Sequence, residues 1–392
     1  MRARPRIRPR SGPPRLTHSA HAPAGGTGAL VLSIDFELAW GVLDRLRVEP
    51  GYAGDIIAGR CLIPRLLGLF AERRIAVTWA TVGSVFADGR EMWERASREL
   101  APRLLEEHRA GPSPFDEAVG VSEREDPLHF APSLVRRIRD TARQEVASHT
   151  FCHFECLRGP PSPETFRADL RAARRIADQF AIPLRSIVFP RNQRRPEYDA
   201  VLLEEGFTAY RGNPTDWMWR IRDPADGGRR LRRLSRGLDG YVRVTPAARS
   251  QSWTEVLEPG GLSNVRASFF LRPYSPRRAP FEGLRLARLQ ECMVTAARRG
   301  RILHLWWHPH NFGRHPDENV AFLDRVLDAF ESCRERFGMR SLTMSDVDHI
   351  VRRDADRFAA RLAAPNPAHA GRPPRSPRAS SGGNDPHPVT HR

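Results

Sequence analysis

The chain has 392 residues, 40% of them hydrophobic and 28% charged, which allows one large globular domain or two ordinary ones. All 63 basic residues are Arg and the net charge is +17, but six Arg and no acid fall in residues 1–28, and four Arg and one Asp in residues 363–392. The body between is only moderately basic, and with no clustered basic face or known nucleic-acid module, nucleic-acid binding is not expected as the main activity.

Residues 1–28, rich in Arg, Pro, Gly and Ser, read as a disordered leader. Order begins at a strand over Ala29–Glu37, in which Ser33, Asp35 and Glu37 share one face while Leu32, Ile34 and Phe36 take the other. Two carboxylates closing an apolar strand are costly to bury without a cation, so they either meet one or sit on a solvated strand end. A helix over 60–73 and a strand over Ile75–Val82 follow, then an excursion of helices and loops over 91–128 and a helix from Pro132 to Thr141.

A short strand at Glu145–Ala147 runs into Ser148-His149-Thr150-Phe151-Cys152-His153-Phe154-Glu155. Next comes a helix with Ser162 as N-cap, Pro163 at its first position and Phe166, Leu170, Ala173 and Ile176 at helical spacing. Strands at Ser186–Phe189 and Phe207–Tyr210 flank a helix near Tyr198–Glu205. Residues 215–265 give no assignable pattern. After Ala267–Leu271 come a helix near 284–299, a strand over Ile302–His308 and a long helix over Glu318–Phe337, and from about Ala363 the chain again reads as a disordered tail.

Strands alternate with helices at the spacing of βα units, and the polar clusters all follow strands. That is the pattern of a β/α barrel with its site at the C-terminal rim, here an irregular barrel of about seven strands over 29–350, with a helical end and tail over 351–392. No phosphate-binding glycine loop appears. No apolar run reaches the roughly 18 residues of a membrane span, and the N-terminus lacks the apolar region of a secretory signal. Five scattered Cys without a C-x-x-C suit a reducing compartment, so a cytoplasmic location is expected.

Two histidines four apart, where a strand hands over to a turn, either pack as core residues or aim both imidazoles at one divalent ion. Cys152 and Cys156 interleave with them and are a lesser ligand option.

Five strand-end clusters, in this order, resemble the polysaccharide deacetylase family (the NodB homology domain), and its cytoplasmic-type branch most. They are Ser33-Ile34-Asp35-Phe36-Glu37, Ser148-His149-Thr150-Phe151-Cys152-His153, Phe189-Pro190-Arg191-Asn192-Gln193, Tyr210-Arg211-Gly212-Asn213 and Trp307-His308-Pro309-His310-Asn311-Phe312. The first departs from the adjacent Asp-Asp of many members. The resemblance implies Glu37, His149 and His153 as ligands of a divalent metal, zinc first among the choices, with Asp35 as general base, although the longer Glu37 leaves an exchange of roles between the two acids open. It implies Arg191 as the arginine that pairs with the base. His308 is the expected general acid, since imidazole ordinarily titrates near neutrality; His310 is a second choice or orients the loop.

Trp40, Arg211, Asn213, Trp306 and His310 are the expected substrate contacts, and Glu155 is either a partner of a ligand histidine or a plain charge. The activity implied is removal of an N-acetyl group from an amino sugar or a surface-polysaccharide precursor. The alternatives are an amidohydrolase or deformylase acting on another small amide, and a barrel that binds carbohydrate without catalysis. Oligomeric state is not legible.

Overall fold

The computed structural model describes residues 27–49, 51–107, 113–160, 162–216, 219 and 249–355. The expected leader, apart from Thr27 and Gly28, and the expected tail lie outside the described residues, as does most of the segment 217–248.

Nine strands form one sheet: β1 (Ala29–Phe36), β2 (Val77–Thr81), β3 (Gln144–Ser148), β4 (Ser186–Val188), β5 (Ala209–Arg211), β6 (Ser263–Asn264), β7 (Phe269–Phe270), β8 (Ile302–Trp307) and β9 (Arg340–Leu342). Their spatial order is β6-β5-β4-β3-β2-β1-β8-β7, and every pairing between them is parallel. β9 pairs with Ala29–Val31 of β1, while β2 pairs with Leu32–Phe36, so the two share one edge of the central strand end to end. The sheet is an α/β barrel left open between β6 and β7, with eight strands in its unbroken run rather than about seven. β6 and β9, two and three residues long, escape a reading that needs four or more residues of alternation.

All eight residues of β1 are buried, as expected for a parallel strand covered on both faces. Leu30, Leu32, Ile34 and Phe36 join Val77, Trp79, Val146, Ile187, Tyr210, Leu303, Leu305 and Trp307 in the hydrophobic core. Phe70 of the helix Tyr52–Glu72 meets the rings of Trp79 and Trp307 edge-on; burying each such ring is worth roughly 1.5–3 kcal/mol. That helix starts eight residues before the expected position.

The opposite pleat faces the barrel interior and carries polar groups in layers. Near the N-terminal end, the Glu145 carboxylate accepts from the hydroxyls of Thr78, Ser186 and Ser345. Further along, the Ser33 hydroxyl bonds both Arg211 and His304. At the C-terminal rim the loops after β1, β3, β4, β5 and β8 converge.

Candidate active site

The end of β1 presents Asp35 inward, Glu37 two residues on takes the same side, and the chain then bends through Leu38 (φ 48°). Both carboxylates are almost fully buried. The β3 loop delivers His149 and His153: their Nε2 atoms lie 3.4 and 3.3 Å from the same oxygen, Oε2 of Glu37. These three residues are the group, among the described residues, with the ligand atoms and proximity to hold a metal ion. Neither Cys152 nor Cys156 belongs to it.

Hydrogen bonding fixes the orientation of one ligand. His149 Nδ1–H donates to the Val188 carbonyl at 2.8 Å, so Nε2 is the ring nitrogen turned to Glu37 and the one that a metal ion would take. A lone pair facing a carboxylate oxygen is repulsive unless a proton or a cation lies between them. Burial alone would raise the Glu37 carboxyl, yet His308 and the two ligand histidines hold it well below its ordinary value. Burial lowers His153 against the pull of Glu37.

Asp35 is held apart from that cluster. Arg211, the last residue of β5, donates through Nη1 and Nη2 to its two oxygens at 2.7 and 2.8 Å. The same guanidinium donates to Ser33 Oγ and Asn192 Oδ1 and lies 4.2 Å over the Trp306 ring. Burial raises Asp35, but the Arg211 charge, with His149 and His308, outweighs it and leaves the carboxyl below its ordinary value. Behind Arg211, His304 donates from Nδ1 to the Val265 carbonyl and accepts the Ser33 hydroxyl at Nε2. Burial and Arg211 push it down to about 3, so it stays neutral.

His308 follows β8. Its Nδ1 bonds Asn311 Oδ1 at 3.0 Å, and its Nε2 faces Asp35 Oδ2 at 3.6 Å and Glu37 Oε1 at 3.7 Å.

Other expected residues are placed differently. Arg191 does not pair with Asp35: it bonds Glu155 and Asp44 at the surface, and Arg211 takes the position expected of it. Glu155 thereby serves Arg191 rather than a ligand histidine among the described residues. His310 is buried, its ring tilted against His308 with centroids 4.9 Å apart, and burial and His308 lower it to about 3.

Trp40 is buried, bonded to the His129 carbonyl and stacked on Trp93, with only an edge on a groove of about 150 Å³ beside His153. Trp306 supports Arg211 and lies against Phe270. Asn213 donates to the Asn192 carbonyl and lines a separate recess of about 360 Å³ with Tyr210, Arg211 and Asn264.

Sequence reading missed the supports of the histidine loop. Asp169, wholly buried on the helix Pro163–Asp178, accepts from the amides of Phe151 and Cys152. The signal was available: Asp169 lies three residues after Phe166 and four before Ala173, on the apolar stripe.

No family profile and no curated protein matches the sequence. Solved structures do. Two carry only provisional designations as polysaccharide deacetylases: one from Pseudomonas aeruginosa PAO1 (TM-score 0.51, 12% identity, covering 83% of this chain and 91% of that one) and one from Mycobacterium smegmatis (TM-score 0.49, 15% identity, 90% and 99%). Puue allantoinase matches with a TM-score of 0.46 at 12% identity, covering 83% of this chain and 90% of that one. At 12% identity the likeness to the Pseudomonas structure shows the fold alone, a NodB-like barrel. No helix among the described residues is long and apolar enough to cross a membrane.

Proposed function

We propose that this chain is a metal-dependent hydrolase that removes an N-acetyl group from an amino sugar or a surface-polysaccharide precursor. One observation carries the reading: two imidazole nitrogens and one carboxylate oxygen converge, while a second carboxylate, fixed by an arginine, stands beside a third imidazole. Fold and residues support it together, because the site lies at the C-terminal rim where barrels of this architecture place their chemistry.

Glu37, His149 and His153 would hold the ion, and two nitrogens with one oxygen suit zinc among common divalent metals. Such an ion, when bound, supplies Lewis-acid polarisation of the acyl oxygen and makes a nearby water more acidic. Asp35 accepts the proton of the water that adds to the acyl carbon, and Arg211 keeps it ionised for that task. His308 delivers a proton from Nε2 to the departing nitrogen, its ring fixed by Asn311. The amide C–N bond breaks, giving a carboxylate and a free amine. Trp306 and His304 hold Arg211 and Ser33 in place and touch no reacting atom.

Metal content of the purified protein, beside release of acetate from N-acetylated sugars, tests the reading. About one divalent ion per chain is expected, absent from His149→Ala and Glu37→Ala. Asp35→Asn should keep the ion and lose activity by about 10³-fold. A wild-type protein that takes up no metal on reconstitution sinks the proposal.

A further inference from the structure

The loop between the two ligand histidines is strained. Thr150 (φ 62°) and His153 (φ 58°) both adopt the left-handed conformation that side chains with a Cβ disfavour. Such residues persist only where their surroundings over-determine them. Here the restraints are visible amide by amide. The Thr150 N–H donates to Ser148 Oγ, and the Phe154 N–H to Thr150 Oγ1. Of the three amides between them, those of Phe151 and Cys152 both donate to Asp169, at 2.7 and 3.1 Å, and Cys152 Sγ lies 3.1 Å from Asp169 Oδ1.

Asp169 is an unusual residue to bury here. It has no exposed surface, and among the described residues it has no cation partner and its hydrogen bonds come from amide and thiol donors of this one loop. A buried carboxylate without a cation is costly, and a helix stripe otherwise made of Phe166, Leu170, Ala173 and Ile176 would pack as well with an apolar residue.

We propose that Asp169 is a positioning residue for the two-histidine site: its carboxylate, bridging two consecutive amides, sets the backbone angle that makes His149 and His153 converge on Glu37. This rests on the reading of those three residues as a metal site. A carbonyl-type side chain cannot replace it. In Asp169→Asn one oxygen still accepts an amide, but the other is exchanged for an NH₂ group that opposes the second N–H. The loop then relaxes toward ordinary φ values, and the imidazoles part.

The test uses the full chain and zinc ion as probe, with affinity measured by competition against a chromogenic chelator. Asp169→Asn should bind zinc about 10- to 100-fold more weakly than wild type. Asp348→Asn is the control. That residue is also a buried carboxylate, bonded to Thr208, Ser263 and Arg352 far from the rim. The control should lose thermal stability yet bind zinc within about twofold of wild type, which separates positioning from general loosening.

Zinc affinity of Asp169→Asn within about twofold of wild type overturns the proposal, as does equal loss in the control. A wild type that binds no zinc instead overturns the metal reading on which it stands. Should Asp169→Asn fail to fold, amide hydrogen exchange of the wild type decides. Zinc should slow exchange at Phe151 and Cys152 by about tenfold or more if the latch and the site are coupled. No change there overturns the proposal.

Discussion

Burial disfavours the charged form of Asp35, and Arg211 offsets that with a fixed positive charge held through two parallel bonds. Replacing that fork with the single ammonium of Arg211→Lys should lower kcat/KM about 100-fold and move the acid limb of the pH–rate profile upward. The sign follows from linkage. The folded Asp35 carboxyl lies below its ordinary value, so its pairing stabilises the fold above that value and the benefit is lost as pH falls through the folded one. Weakening the pair raises the folded value toward the ordinary one.

Arg191→Lys should leave activity within about threefold, since its pairs with Asp44 and Glu155 are surface ion pairs worth roughly 0–1 kcal/mol. Equal losses in the two variants would refute this assignment. The acids and histidines of the site were legible because each ends an apolar strand. The arginine was not, because clusters after β4 and β5 each offer one. Direction decides between them: Arg191 sits in a tight turn at φ 54° and points outward, whereas Arg211 follows Tyr210 in a strand and so takes the opposite, inward face.

Elements reach the site through glycines whose missing side chains let backbone approach. A Cβ on Gly41 would fall 2.1 Å from Cδ of Glu37, inside its carboxylate. A Cβ on Gly313 would fall 2.2 Å from the Asp55 carbonyl and 2.7 Å from the Gly59 amide, where the short helix Pro309–Gly313 rests on the helix Tyr52–Glu72. The two positions should therefore fail differently.

Gly41→Ala displaces Glu37, so metal content should drop with activity. Gly313→Ala pushes the His308 loop off its support, at an overpacking cost of about 1–3 kcal/mol. It should lower kcat by about tenfold or more, as a misplacement near 1 Å does, with metal content unchanged. Metal analysis beside kinetics checks both, and loss of metal in Gly313→Ala would show that the rim moves as one piece. None of this was visible in sequence, where a glycine after a strand reads only as a turn. The long strands and helices were visible because each shows a full period of alternation or amphipathy.

Across the whole molecule, the interior polar layers differ in how well they are satisfied. The Glu145 layer is a closed network of donors and acceptors, and the Ser33–His304–Arg211 layer is nearly so, with Arg211 Nε left without a partner among the described residues. The rim layer turns two imidazoles and a carboxylate oxygen on one point, a convergence that a bound cation would stabilise. Several buried groups there share one direction of proton linkage. Asp35 and Glu37 are lowered, and His153, His304 and His310 are held below the ordinary histidine value.

In each case the unfolded chain binds protons that the folded one does not, the histidines below their ordinary value and the carboxylates below theirs. Stability therefore falls as pH is lowered from neutrality, first through the histidines and then through the carboxylates. Asp169, raised to about 6, works the other way and offsets part of the loss. The metal-free protein should thus show a thermal midpoint that drops steadily between pH 7.5 and 5.

Zinc at about 100 times its Kd should add roughly 2.7 kcal/mol, a rise of at least several degrees in a domain of this size. Because burial keeps His153 from taking up a proton early, that rise should persist at pH 6. Calorimetry at pH 7.5, 6 and 5, with and without zinc, checks both halves. A midpoint flat with pH would contradict the linkage, and a zinc increment already gone at pH 6 would place the protons on the ligand histidines instead.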